Sequence, residues 1–298
     1  MAQATSVQAP ENLARFKAPS RPHLALRLLK RKVAVAGFVI LLLLIVVALT
    51  APVIRAADPD KVVPRAALQG PSTEHWFGTD QYGRDMYSRV IYGTRISLLV
   101  GFISVSIAVV VGTTLGLISG YYGRWVDTTV MRFVDIMLAF PGILLALALV
   151  SILGPSLTNL MIAVGVSSVP AYARLVRGSV LSAKENVYVE AARVVGCTDG
   201  TIMRRHVLPN VVAPVIVLAT LGFATAILSA AALSFLGLGS QPPTAEWGRM
   251  LSEGRNYLRE QWWIATFPGL AIMVTVLAMN LLGDGLRDTL DPRQQVNT

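Results

Sequence analysis

The chain has 298 residues, of which 54% are hydrophobic and only 14% charged, and its formal net charge is +9. A soluble domain carries about 25% charged residues, so this composition excludes a single water-soluble core and suits a chain dissolved in a bilayer. The single cysteine, Cys197, excludes an intrachain disulfide.

Residues 1–32 are polar and basic, ending in Lys30-Arg31-Lys32. Residues 33–53 follow as an uncharged apolar run, long enough to cross a hydrocarbon core of about 30 Å. The run exceeds the roughly 7–15 apolar residues of a cleaved leader, so it is expected to be retained as a span. Residues 55–95 mix Pro, Gly and both charges and form a polar connection. A second span, 96–120, has no charged residue and carries Gly112, Gly116 and Gly120 at a spacing of four. Such overlapping small-residue motifs let helix backbones approach closely, either within the chain or against a second subunit.

A third span is expected over 130–153, with Arg132 and Asp135 near its start. These two are three apart and can pair on one helix face. Span four, 157–172, is short and contains Pro170; the last two cover 211–236 and 263–283. The expected fold class is therefore all-α, a polytopic membrane protein of about six transmembrane helices. Hydrophilic stretches at 173–210 and 237–261 separate the later spans. With the N-terminus inside, 17 Lys and Arg fall on the cytoplasmic side and 9 on the other, which by the positive-inside rule places both termini in the cytoplasm. The basic excess thus follows membrane sidedness and calls for no nucleic acid partner. Trp262 and Trp263 are expected at the outer interface, with Tyr121, Tyr122 and Trp125 at the inner one.

The chain lacks a Gly-Lys dipeptide and so has no phosphate-binding loop of the GxxxxGK[ST] type. His23, His75 and His206 are scattered, and neither HExxH, CxxC nor GxSxG occurs. Asp135 is the one carboxylate clearly within an expected span. Ion-coupled transporters usually place ionisable or discontinuous-helix sites near the midplane. An ion-coupled secondary transporter and a membrane enzyme are therefore the weaker readings.

The most informative stretch is 188–210. Glu190 to Val195 reads as a short helix whose adjacent Ala191 and Ala192 permit close approach of a partner surface. Gly196 supplies the left-handed conformation that ends a helix. Asp199 is placed to cap a second short helix over 200–206, which Leu208-Pro209 is expected to stop. This gives a helix–turn–helix elbow suited to a groove on another protein.

Glu190-Ala191-Ala192, then Gly196, then Leu208-Pro209, resembles the EAA loop of ABC importer permeases, with His206 at a position that is usually apolar. His-x-Leu-Pro-Asn at 206–210 is similar to the peptide-importer branch. The resemblance extends to Trp76-Phe77-Gly78-Thr79-Asp80 with Gly83-Arg84-Asp85, to Leu233-Ser234-Phe235-Leu236-Gly237-Leu238-Gly239, and to Asn280-Leu281-Leu282-Gly283-Asp284 with Asp291-Pro292-Arg293. These stretches look like those of dipeptide and oligopeptide permeases of the C-type subunit.

The resemblance implies a type I importer permease, non-catalytic, in a bacterial plasma (inner) membrane. It implies a second homologous permease, two cytoplasmic ATPase subunits, an extracytoplasmic solute-binding protein and a peptide substrate. No cofactor is implied in this chain; ATP and Mg would sit in the ATPase partners. Glu190 would meet the ATPase surface, Ala191 and Ala192 would pack in its groove, and Gly196 would set the turn before Leu208 and Pro209. Nickel, glutathione or another small solute is the alternative cargo. The expected organisation is a cytoplasmic segment 1–32, a first helix with its outer loop 33–95, and a core permease domain 96–298 with its coupling loop at 173–210. Asp80, Arg84, Asp85, Glu246, Trp247 and Arg249 lie in the two outer loops, which are expected to form the docking surface for the binding protein.

Overall fold

A computed structural model describes Leu28 and residues 31–290. The expected segment 1–32 and the Asp291-Pro292-Arg293 motif lie largely outside these residues. The described chain is helical. α1 covers Lys32–Ile54, α2 Met86–Tyr122, α3 Arg124–Leu138, α4 Gly142–Leu153 and α5 Leu157–Lys184. α6 covers Val187–Val194, α7 Asp199–Ile202, α8 Leu208–Phe235, α9 Trp247–Gly254 and α10 Trp263–Leu290. Five helices are long and apolar enough to cross a membrane, and α3 with α4 makes a sixth candidate if that bent pair counts as one span.

The third expected span is corrected. α3 and α4 meet at 90° around Ala139-Phe140-Pro141 instead of forming one rod. Pro141 lacks an N–H and its ring disfavours helical backbone at Phe140, so the helix ends there. The two halves also differ in character. α3 carries Arg124, Asp127, Arg132 and Asp135 and buries Val134, while α4 is uncharged, apolar but for Ser151, and buries Ala146 and Val150. The fourth span is corrected in the opposite direction. Its helix runs through Pro170 to Lys184, 28 residues in all, and is one of the five.

Packing of the long helices depends on small residues. Without a hydrophobic driving force between helices in lipid, close van der Waals contact has to hold them together. Gly112, Gly116 and Gly120 of α2 lie against Val169, Tyr172, Ala173, Val176 and Val180 of α5. A Cβ at Gly116 would stand 2.5 Å from the Ala173 carbonyl oxygen. The glycine stripe is therefore an internal seam, and the alternative of a contact with a second subunit does not apply to it. α1 packs on α10 in the same way, with Gly37 over Ala278 and Leu282 and with Ala34 over Gly285.

The bundle has two distinct ends. At one, a cap is built from the 55–85 connection and from α9, with Asp85 capping α2 through the Ser88 amide at 2.8 Å. At the other lie the α2–α3 corner, the C-terminal end of α5 and the α6–α7 elbow. Arg31 lies 3.7 Å from Asp288, so the start of α1 and the end of α10 share that second end.

Candidate coupling elbow

α6 ends in the hydrogen-bond pattern that a left-handed residue permits. Gly196 has φ +86°, its N–H donates to Arg193 O at 2.9 Å, and the Cys197 N–H donates to Ala192 O at 3.0 Å. These two bonds satisfy carbonyls that the helix end would otherwise leave open. The chain then turns into α7, whose Ile202 is buried. The expected stop at Leu208-Pro209 is corrected. Met203–Val207 forms a π-helical turn, the Leu208 N–H reaches Met203 O, and Pro209 sits in the first turn of α8. Proline is tolerated there because the first amides of a helix have no intrahelical acceptor to lose. The elbow thus feeds directly into a membrane helix.

The elbow has an inner and an outer side. Val189, Ala192, Ile202 and Val207 pack with Val176, Val180 and Ala183 of α5 and with Tyr121 of α2. Ala192 is therefore corrected: it is buried on its own chain and not available to a partner. Glu190, Ala191 and Gly196 are exposed, as is Pro209, and Leu208 is half-buried. Beside them Val187, Val194 and Val195 are 79%, 88% and 82% exposed, a row of aliphatic side chains on the outer side. The Glu190 carboxylate makes no hydrogen bond or ion pair among the described residues. It lies in the first turn of α6, where the positive helix end favours a negative charge.

Polar contacts fix the inner side. The Tyr121 hydroxyl donates to Asp199 Oδ1 at 2.6 Å, and the Arg193 guanidinium lies 5.7 Å from the centre of the Tyr121 ring. Asp199 is thus an acceptor for α2 and not the cap expected of it; α7 starts after Thr198, with no side-chain cap. Asn210 Nδ2 donates to the Tyr188 hydroxyl at 2.9 Å and to His206 O at 2.7 Å, tying the first turn of α8 to α6. Beside these residues a cavity of about 660 Å³ opens, lined by Arg174, Ser179, Ser182, Asn186, Tyr188 and Asn210.

Residues 112–296 match the family described as the binding-protein-dependent transport system inner membrane component. The chain belongs to this family. Residues 23–71 match the N-terminal TM domain of oligopeptide transport permease C. The dipeptide transport system permease protein DppC of Alkalihalophilus pseudofirmus is 52% identical, covering 90% of this chain and 88% of its own. The glutathione transport system permease protein GsiD of Pectobacterium atrosepticum is 49% identical over 90% of this chain and 89% of its own. The methionine ABC transporter MetNI in inward-facing conformations shares the fold at a TM-score of 0.54 and 23% identity, over 68% of this chain and 97% of that one. An amino acid ABC transporter gives 0.53 at 18% identity, over 66% of this chain and 92% of that one. The chain is a membrane permease subunit of an ABC transport system.

Near the elbow of this permease, the expected Arg132–Asp135 pair is replaced by two pairs that join helices. Asp135 accepts from Arg174 Nη2 at 2.7 Å. Asp127 accepts twice from Arg177, at 2.5 Å each, and also from the Ser119 hydroxyl at 2.5 Å. Lys184 Nζ donates to Gly120 O at 3.0 Å. Sequence spacing suggested a pair along one helix, whereas the partners come from α5, which the glycine seam brings against α2.

At the cap end the permease buries Asp80, Arg84, Asp85 and Glu246 of the two outer loops. Arg84 Nε donates to Asp80 Oδ2 at 2.5 Å and its Nη2 to Glu253 Oε2 at 2.7 Å, and Arg84 is 3% exposed. Arg89 donates to Pro59 O at 3.0 Å and Pro243 O at 3.2 Å, and lies within 3.8 Å of Asp60, Asp80 and Glu253. His75 Nδ1 is 3.0 Å from Asp85 Oδ1. Glu246 caps α9 by accepting from the Gly248 and Arg249 amides at 2.8 and 2.9 Å. Burial pushes its carboxyl above the usual carboxylate range, while those amides pull the other way.

Trp247 is fully buried and donates to Val90 O at 3.0 Å. Trp263, expected at a membrane interface, is buried too and donates to Thr79 O at 3.1 Å. Tyr121 is likewise buried, whereas Trp262, Tyr122 and Trp125 are exposed as that reading requires. These cap residues form a folded lid whose charges are largely paired within the chain, so the named side chains hold the loops together.

Proposed function

We propose that this permease forms half of a translocation pathway for dipeptides or oligopeptides, and that the α6–α7 elbow is where a cytoplasmic ATPase drives it. The observation that carries this reading is the two-sidedness of the elbow. Its inner side is fixed to α2, α5 and α8, while Glu190, Ala191, Val194 and Val195 stand outward, exposed among the described residues. An exposed aliphatic row next to an unpaired carboxylate is costly to leave in water and matches a groove on a second protein.

In this reading the elbow end is cytoplasmic, as are both termini, and the Lys and Arg excess on that side supports it. Its partners are a second, similar permease, two ATPase subunits and an extracytoplasmic binding protein. ATP and Mg belong to the ATPases, and this chain holds no cofactor. Closure of the ATPases draws the two elbows together and opens the shared cavity outward; hydrolysis resets it. The dipeptide and glutathione relatives support a short peptide as cargo, since glutathione is itself a tripeptide.

Two substitutions test the elbow. Glu190→Ala removes an exposed carboxylate whose only contribution to folding is its interaction with the helix end, about 0.3–1 kcal/mol. Gly196→Ala adds a Cβ into open space, so its cost is the left-handed backbone alone, about 1–2 kcal/mol. Both variants are expected at normal level in the membrane, with peptide uptake per ATP reduced about tenfold or more. Wild-type uptake per ATP in both would refute the assignment.

A further inference from the structure

The elbow reading says where force enters, and the fold indicates which helix carries it. α1, α5, α8 and α10 each contain an internal proline: Pro52, Pro170, Pro214 and Pro268. α2 contains none over 37 residues, which at 1.5 Å per residue is about 55 Å. Proline removes a ladder hydrogen bond and is a common site of helix kinking. Among the five long helices described, α2 is therefore the one that joins the two ends of the bundle with no proline break in its hydrogen-bond ladder.

Both ends of α2 are anchored. At its start, Asp85 and Arg89 belong to the buried cap, with Arg89 bonded to carbonyls of the 55–85 connection and of the loop before α9. At its end, Tyr121 reaches into the elbow, its ring packed with Val180, Val189 and Ile202 and its hydroxyl on Asp199. The neighbouring Tyr122 is half exposed and packs edge-on against the Tyr121 ring, with 5.3 Å between centroids. A displacement of α7 therefore acts on α2 through a short, charge-assisted hydrogen bond. A rod held at both ends passes that displacement to the cap.

We propose that Tyr121 is the positioning residue that ties the coupling elbow to α2, so that α2 transmits elbow movement to the extracytoplasmic cap and back. The proposal rests on the elbow being the ATPase seat. Coupling free energies are reciprocal, so the same link would carry the stimulation of ATP hydrolysis by a binding protein docked at the cap.

The test uses the full complex, with both permeases and both ATPases in nanodiscs, and its own binding protein saturated with an equimolar dipeptide mixture. The readout is the ratio of ATP hydrolysis with and without binding protein. Tyr121→Phe keeps the buried ring and removes only the hydroxyl. Asp199→Ala removes the acceptor at an exposed position and leaves the buried apolar side of the elbow intact. Both are expected to lower the ratio about 5- to 20-fold while basal hydrolysis is unchanged. Asp199→Asn keeps an acceptor oxygen and is expected within about twofold of wild type. A purely structural role would lower thermal stability and leave the ratio alone.

Full stimulation in Tyr121→Phe and Asp199→Ala overturns the link, and equal losses in Asp199→Asn and Asp199→Ala overturn the hydrogen bond as its basis. Glu190→Ala separates the two readings. If it uncouples while the Tyr121 and Asp199 variants do not, the Tyr121 link alone fails. Full stimulation in all three removes the elbow assignment as well.

Discussion

Replacing Arg84 by alanine destabilises the permease by about 3 kcal/mol, because it removes the buried cation between two carboxylates, leaving Asp80 with backbone amides and Glu253 with Arg249. Arg84 bridges Asp80 and Glu253 and is itself almost fully buried. Arg89 stays nearby but lies 3.7 and 3.8 Å from the same two carboxylates, too far to replace both bonds. The loss is read as a lower unfolding midpoint of the detergent-purified complex. A partly compensated variant loses less: Arg84→Met with Glu253→Gln removes one carboxylate with the cation, leaves Asp80 beside Arg89, and recovers part of the midpoint. Equal losses in the single and double variants would mean that Arg84 acts through packing and not through charge.

Gly116→Leu has the second large effect. Its Cβ would stand 2.5 Å from a backbone oxygen of α5 and 2.7 Å from Val176 Cβ, and backbone cannot swing aside as a flexible side chain does. Overpacking of this kind costs about 1–3 kcal/mol or more, and here it also pushes apart the seam that seats Asp127 on Arg177. The expected outcome is loss of the assembled complex from membranes at 37 °C. Gly142→Leu is the control, since nothing lies within 4 Å of a Cβ there. Equal expression of both variants would show that the seam tolerates separation.

Local rules in the sequence placed the elements they govern and missed what depends on distant partners. Gly196 as a helix stop, the apolar runs of α1, α2, α8 and α10, and the glycine stripe were all legible. Prolines were not legible by type alone. Pro141 breaks a helix, Pro170 passes through one and Pro209 starts one, and position within the hydrogen-bond ladder makes the difference. The preceding Phe140, pushed out of helical backbone, was the available signal for the bend.

Charge pairs were the hardest to read. Arg84 and Glu253 are 169 positions apart, and no spacing rule connects them. Asp135 had a candidate partner three residues away, yet bonds to Arg174 because the seam sets α5 beside α3. For the elbow, the pattern at 190–209 indicated two short helices about a turn at Gly196 but did not separate their two sides, so Ala191 and Ala192 looked equivalent. The 3.6-residue period turns Ala192 inward with Val189 and leaves Ala191 outward with Glu190 and Val194. Tyr121 was read as an interfacial aromatic, and only the fold brings it to Asp199.

The most direct test of the ATPase seat is site-specific cross-linking in the assembled transporter. A photoreactive cysteine label at Ala191 or Val194, both exposed on the elbow, is expected to capture an ATPase subunit. The same label at exposed Tyr82 in the cap is not. Capture of the ATPase from the cap position, or its absence from both elbow positions in a complex that hydrolyses ATP, would contradict the account.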